Sequence, residues 1–221
     1  MSGGPMIKIC GITNEADALL AVGLGATALG FNFAVSKRHV DVPEAASIIS
    51  RLPDGVQNIG VFRDQPLLEV IETAAELRLD GVQLHGAESR DDASFIASQV
   101  GYVIKVFVAG DRDVVDFAAF GARHFMVDGA DPGSGELFDW SVVEGVVDPA
   151  KMIVAGGLNP DNVAEAIRRL RPYGVDVASG VEAAPGIKDP LKLRSFISAA
   201  RAAFGEVAPS FSGDAPFDWS E

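Results

Sequence analysis

Eight short apolar runs, each followed by a stretch of helical periodicity, recur along this chain at roughly 25-residue intervals. No other feature restricts the fold as much. The runs are Met6–Cys10, Ala28–Phe33, Gln57–Phe62, Gly81–Leu84, Tyr102–Phe107, His124–Val127, Met152–Ala155 and Val175–Ala178. Strand-then-helix repetition of this kind belongs to all-parallel α/β architectures. Eight units in 221 residues suit a small closed (β/α)8 barrel, a TIM barrel. An open doubly wound sheet has the same local pattern and is the alternative.

Helix starts agree with the count. Asn14 reads as an N-cap with Asp17 in the first turn, and Asn159-Pro160-Asp161 reads as cap, N1 proline and acid. The sixth connection, near Trp140–Val146, gives a short helical signal. The periodicity ends with a last helix over Leu191–Phe204. The chain therefore divides into a barrel over residues 1–204 and a tail over residues 205–221. That tail holds Glu206, Asp214, Asp218 and Glu221, with no Lys or Arg, and reads as a mobile extension. Its aromatic residues Phe211, Phe217 and Trp219 are the ones able to dock.

Charge and cysteine content narrow the function classes. A formal net charge of −13 excludes an electrostatic nucleic-acid footprint and an anionic-membrane binder. One cysteine cannot form an internal disulfide, so a disulfide-built secreted domain is excluded. With no long apolar run and no leader-like opening, the expected location is the cytoplasm.

In a parallel barrel the active site lies in the loops after the strands. Loops 7 and 8 carry Gly156-Gly157 and Ser179-Gly180. Bare amides and a helix start at this paired location make a phosphate pocket, although such glycines in isolation serve as turn residues. Cys10 ends strand 1. A lone cysteine is ordinarily an inert apolar residue, but here it faces the site. Alternation places Lys8 and Cys10 on one face and Ile7 and Ile9 on the other. If the isoleucines meet the helices, Lys8 enters the barrel and requires a partner. Asp176 on strand 8 has the right parity for a Lys8–Asp176 pair.

Asp128 ends strand 6 and is equally readable as an Asp-Gly turn residue or a functional acid. His124 lies four residues back, roughly 13 Å toward the floor, and is set aside. His85 lies just past strand 4, while His39 is in a loop. Arg38 is the best-placed basic residue on the rim and can clamp a carboxylate, although loop charges are ordinarily solvated. The histidines and the cysteine show no zinc-type spacing, so no metal is expected.

The stretches KICGIT (8–13), GFNFAVSKRHV (30–40), VQLHG (82–86), GSGELFDWS (133–141), GGLNPDNV (156–163) and VDVASGVEAAPGIKD (175–189) occur in order. Together they resemble the phosphoribosylanthranilate isomerase family of tryptophan biosynthesis over nearly the whole barrel. The resemblance implies an Amadori rearrangement of N-(5-phosphoribosyl)anthranilate to 1-(o-carboxyphenylamino)-1-deoxyribulose 5-phosphate. It implies Cys10 as general base, Asp128 as general acid and Arg38 as holder of the anthranilate carboxylate. Gly156, Gly157, Ser179 and Gly180 would take the phosphate, with Gln83, His85 and Asp176 as further pocket residues. Glu136 and Ala178 depart from what is common in the family.

Such chemistry needs a protonated carboxyl and an available thiolate, and no cofactor, because the substrate nitrogen is the electron sink. The expected partner is a small phosphorylated substrate, and the enzyme is a monomer or a homodimer. The related sugar isomerase of histidine biosynthesis resembles the chain at the phosphate loops but uses an aspartate where Cys10 stands. A non-catalytic phosphate-binding barrel would have no need of both Cys10 and Asp128.

Overall fold

In the computed structural model, residues 4–129, 139–144 and 148–207 are described. Eight parallel strands run in chain order and close on themselves. They are β1 (Met6–Cys10), β2 (Ala28–Asn32), β3 (Gln57–Phe62), β4 (Gly81–Leu84), β5 (Val103–Val108), β6 (His124–Asp128), β7 (Met152–Val154) and β8 (Gly174–Val177). The seam pairs β8 with β1 and sets Lys8 directly beside Asp176. Closure rules out the open-sheet alternative.

Helices α1 (Glu15–Leu24), α2 (Val42–Ile49), α3 (Leu67–Glu76), α4 (Arg90–Gln99), α5 (Val163–Leu170) and α6 (Pro190–Val207) wrap the barrel. The Asn14 cap forms, its side chain accepting from the Asp17 amide at 2.9 Å, and Gly25 ends α1 in the left-handed region. Asp41 and Ser89 cap α2 and α4 in the same way.

Three expectations shift. The fifth connection is a 3₁₀ stretch, Arg112–Phe120, broken by non-helical backbone at Asp116. Asn159 caps a preceding turn, accepting from the Asp161 amide, while α5 starts at Val163. The last helix continues past Phe204 to Val207, and Glu206 on that added turn pairs with Arg168 of α5. Residues 208–221, including Phe211, Phe217 and Trp219, lie outside the described residues, as do Gly133-Ser134-Gly135 and Glu136.

Strand alternation sorts the core into two layers. Ile7, Ile9, Leu29, Phe31, Val82 and Leu84 belong to the layer packed under the helices. Met6, Ala28, Ile59, Ile104, Met126 and Ile153 fill the barrel interior with Tyr102. Lys8 shares the inward parity and is fully buried. Loop 8 carries an unforeseen element, the antiparallel hairpin β9 (Glu182–Ala184) and β10 (Ile187–Lys188). Pro185-Gly186 turns it, with Gly186 at φ +81°.

Candidate active site

The pocket at the mouth of the barrel is lined from seven of the eight strand ends. Cys10, Asn32, Arg63, Gln83, His85, Asp128, Gly157 and Asp176 are among its residues. Cys10 and Asp128 thus face one space from β1 and β6, which are not neighbours.

The Cys10 side is charged. Lys8 Nζ donates to Asp176 Oδ1 at 2.8 Å, as the strand parity predicts. On the other flank Lys188 Nζ donates to the Cys10 carbonyl at 2.6 Å and to Glu182 Oε1 at 3.1 Å. Burial pushes the Cys10 thiol above its ordinary value, with the Lys8 and Lys188 charges pulling it back and Asp176 adding to the rise. Burial thus opposes the thiolate that the chemistry needs, and the two lysine charges favour it. Burial works against the charge of Lys8, but Asp176 and Cys10 together outweigh it and raise its ammonium above the ordinary value.

On the Asp128 side, Oδ1 accepts from the Gly129 amide at 2.8 Å and Oδ2 lies 3.4 Å from His85 Nε2. Gln83 Nε2 approaches His85 Nδ1 at 3.1 Å. With the amide so oriented, Nδ1 accepts and the ring proton sits on Nε2, facing Asp128. The His85 loop is clamped from behind. Glu88 accepts from the Gly86 and Asp64 amides and from buried Lys105, and the Ala87 amide donates to Asp64.

Arg38 reaches the pocket with its fork already engaged. Nε and Nη2 donate to the two Glu182 oxygens at 2.8 and 2.9 Å. Burial works against the Glu182 charge, but hydrogen bonds from Arg38 and the charge of Lys188 carry its carboxyl below the usual range. Burial also lowers Lys188, against the pull of Glu182.

In loops 7 and 8 the structure separates glycines that the sequence treats alike. Gly156 and Gly157 both have positive φ, 72° and 67°. A Cβ at Gly156 would stand 2.7 Å from Asp128 Oδ1, so this glycine makes room for the acid. Gly157 and Ser179 line the pocket. Gly180 lies against loop 7, where a Cβ would stand 1.9 Å from the Leu158 carbonyl oxygen. Ser179–Val181 is one 3₁₀ turn, and its first amides have no partner within the turn. Ala178 also lines the pocket. Among the described residues, no group of three His, Cys, Asp or Glu side chains is placed to hold a metal ion.

Sequence reasoning missed four residues. Asn32 and Arg63 line the pocket, and the strand-end rule, applied evenly to β2 and β3, picks out both. Glu182 and Lys188 sit in the unforeseen hairpin. Their signal was two opposite charges flanking Pro185-Gly186.

Residues 7–199 match the family model of N-(5′-phosphoribosyl)anthranilate isomerase. The chain belongs to this family. It is an isomerase of tryptophan biosynthesis. The N-(5′-phosphoribosyl)anthranilate isomerase of Pelobacter propionicus is 45% identical over 201 residues, covering 88% of this chain and 95% of that one. The Thermus thermophilus phosphoribosyl anthranilate isomerase structure matches with TM-score 0.83 and 40% identity, over 89% of this chain and 98% of the other. A phosphoribosyl anthranilate isomerase structure in complex with reduced 1-(o-carboxyphenylamino)-1-deoxyribulose 5-phosphate matches with TM-score 0.76 and 37% identity, over 90% and 99% of the two chains. Another structure, from Thermotoga maritima, is of monomers generated from a dimeric phosphoribosylanthranilate isomerase; it is 36% identical with TM-score 0.77, over 90% and 99% of the two chains.

Proposed function

We propose that the mouth of this barrel performs the family's Amadori rearrangement with Asp128 as general acid and Cys10 as general base. The reaction takes N-(5′-phosphoribosyl)anthranilate to 1-(o-carboxyphenylamino)-1-deoxyribulose 5-phosphate. The observation that carries the assignment is the placement of these two side chains in one pocket from non-adjacent strands. Protonation at oxygen and deprotonation at carbon require groups on different sides of the sugar.

Asp128 gives its proton to the furanose ring oxygen as the C1′–O bond breaks, and the anthranilate nitrogen supplies the electrons of the C1′=N iminium. Cys10 thiolate then takes the C2′ proton, and the C2′–H pair becomes the C1′=C2′ bond of an enolamine. The enolamine loses its hydroxyl proton and gains one at C1′ to give the ketone. The thiol gives up a proton and the Asp128 carboxylate takes one, by exchange with solvent, to restore the site. His85 Nε2–H faces Asp128 and supports the carboxylate once its proton has gone.

Arg38 binds the anthranilate carboxylate with the donors Glu182 leaves unused, Nη1 and the second Nη2 hydrogen. Glu182 and Lys188 hold that guanidinium in position. Gly157 and the first amides of the Ser179-Gly180 turn receive the phosphate, Gly156 gives Asp128 its space, and Gln83 sets the His85 tautomer. Asp176 acts through Lys8.

The ligand is thus a small phosphorylated molecule, of the same class as the one bound in the related complex. All residues given roles belong to one chain, so the reading serves a monomer and a homodimer alike. A base thiol is best preserved in a reducing compartment, which supports a cytoplasmic location. Incubation with phosphoribosylanthranilate, following loss of its anthranilate-type fluorescence, tests the whole reading. No loss, or loss at an equal rate with Cys10→Ser, would refute it.

A further inference from the structure

A buried ion pair gives little net stability over apolar residues of the same size, so a lysine with no exposure in the barrel core calls for a chemical reason. Lys8 is that residue. Its ammonium has three donors, and the oxygen partner it takes is Asp176 Oδ1. Immediately above it on the same face is Cys10. The neighbouring strand opens a notch for the pair: Gly30 stands opposite Cys10 in the β1–β2 register, and Ala28 stands opposite Lys8. A Cβ at Gly30 would lie 2.9 Å from Cys10 Sγ, 2.9 Å from Lys8 Nζ and 3.1 Å from Cys10 Cα. Sulfur and ammonium therefore border one small space, within twice that distance of each other.

We propose that Lys8 is the counter-ion of the Cys10 thiolate, held charged and in register by Asp176 and admitted by the missing side chain of Gly30. The inference rests on the reading of Cys10 as the base. Lys8 acts through Cys10 and never meets the substrate. The thiol proton leaves through the pocket to solvent, and the anion that remains replaces a neutral group beside the Lys8–Asp176 pair. Other charges face Cys10 as well. Lys188 comes from β10, with its ammonium committed to the Cys10 and Ala178 carbonyls and to Glu182. Arg38 comes from loop 2, committed to Glu182. Lys188 has all three donors committed to these oxygens, and Arg38 keeps its remaining Nη hydrogens for the substrate carboxylate. Lys8, by contrast, has two donors left for the sulfur beside it.

The test is the pH dependence of Cys10 alkylation by iodoacetamide in the full-length protein, which reads the thiol whatever its part in turnover. Lys8→Met should move the midpoint up by at least about one unit, a tenfold smaller thiolate fraction at a given pH. Asp176→Asn should move it down, because the thiolate is then the anion left to compensate Lys8. Gly30→Ala keeps every charge, forces Sγ and Nζ apart, and should raise the midpoint. The alkaline shift should reappear in the pH profile of kcat for Lys8→Met, with KM nearly unchanged. A purely structural pair would leave the midpoints alone, or move Lys8→Met and Asp176→Asn in the same direction, and either result overturns the proposal. If Lys8→Met does not fold, the signs for Asp176→Asn and Gly30→Ala decide. Full turnover in Cys10→Ser, with the midpoints moving as stated, would remove the base reading and leave the Lys8–thiolate pairing intact.

Discussion

The mouth and the floor of the barrel stand on the same eight strands, yet they house buried polar groups in opposite ways. At the floor His124 stacks on Tyr173 with ring centroids 4.0 Å apart and meets the edge of Tyr102. The Tyr102 hydroxyl donates to Gln57 Oε1. Burial, helped by Arg123 and Lys151, brings His124 down to about 4, so the ring stays neutral. At the mouth, by contrast, Lys8, Asp176, Arg38, Glu182 and Lys188 are ionisable side chains paired across elements. The floor avoids charge and contributes packing; the mouth retains charge, at a desolvation cost, where chemistry can use it. Variants at the mouth should therefore move turnover or binding, and variants at the floor should move stability.

The sharpest attempt to break this contrast is at the two reacting groups. Cys10→Ser replaces a thiol with a far weaker acid, and Asp128→Asn cannot deliver a proton. Each should cost at least about 10²-fold in turnover with the melting temperature nearly kept. A large fall in melting temperature with turnover preserved would place both residues with the floor. Arg38→Ala comes next. Losing a charged hydrogen bond costs about 1.5–3 kcal/mol, so KM should rise about 10- to 100-fold. Arg38→Lys should fail to restore it, because the fork must serve Glu182 and the substrate together. An analogue lacking the carboxylate should be insensitive to both changes, and equal sensitivity would sink the clamp.

Gly157→Asp should give a smaller rise in KM, through like charge beside the phosphate and strain at φ +67°. Inorganic phosphate should compete with substrate in the parent and less so in the variant. Unchanged competition would move the phosphate elsewhere.

At the floor the expected effect is one of pH. Unfolded His124 takes a proton near its ordinary value of 6.5, whereas folded His124 waits until about 4. In that window the unfolded state binds more protons, so stability is full above 6.5 and lost as pH falls toward 4. Melting temperatures of His124→Phe should fall less steeply across this window than those of the parent, with turnover at neutral pH untouched. A parallel slope would assign the acid-side loss to other groups. The smallest effect concerns residues 208–221, which lie outside the described residues. Truncation after Val207 keeps the Glu206–Arg168 pair, and turnover and melting temperature should match the full chain.

The contrast also explains what could be read beforehand. Strand parity needs local information alone, so Lys-Ile-Cys turned Lys8 and Cys10 inward, and the parity of strand 8 beside strand 1 in a closed barrel named Asp176 as partner. The strand-end rule located Asp128 and His85 for the same reason. Glu182 and Lys188 escaped because their meaning is tertiary. Nothing in Val-Glu-Ala-Ala-Pro-Gly-Ile-Lys states that its turn folds back over the loop after β1, where Thr13 Oγ1 donates to the Gly186 carbonyl. The 3₁₀ geometry of Arg112–Phe120 was equally hidden, since an apolar face at helical spacing suits either kind of helix. The glycines of loops 7 and 8 were legible as a group but not one by one. Contact with Asp128 separates Gly156 from Gly157, and contact with Leu158 sets Gly180 apart from Ser179.

The seam between β8 and β1 has a consequence in time. Lys8 and Asp176 are 168 residues apart in sequence, and Lys188 is 178 residues from Cys10. A chain growing from its N-terminus makes Cys10 well before the eighth unit, and cannot surround it until that unit has emerged and docked. Until then Lys8 lacks its carboxylate, and the half-built barrel has reason to keep that strand wet and unsealed. The reactive thiol is thus synthesised long before its working surroundings are complete. During refolding, regain of turnover should lag regain of helical signal and coincide with closure of the ring.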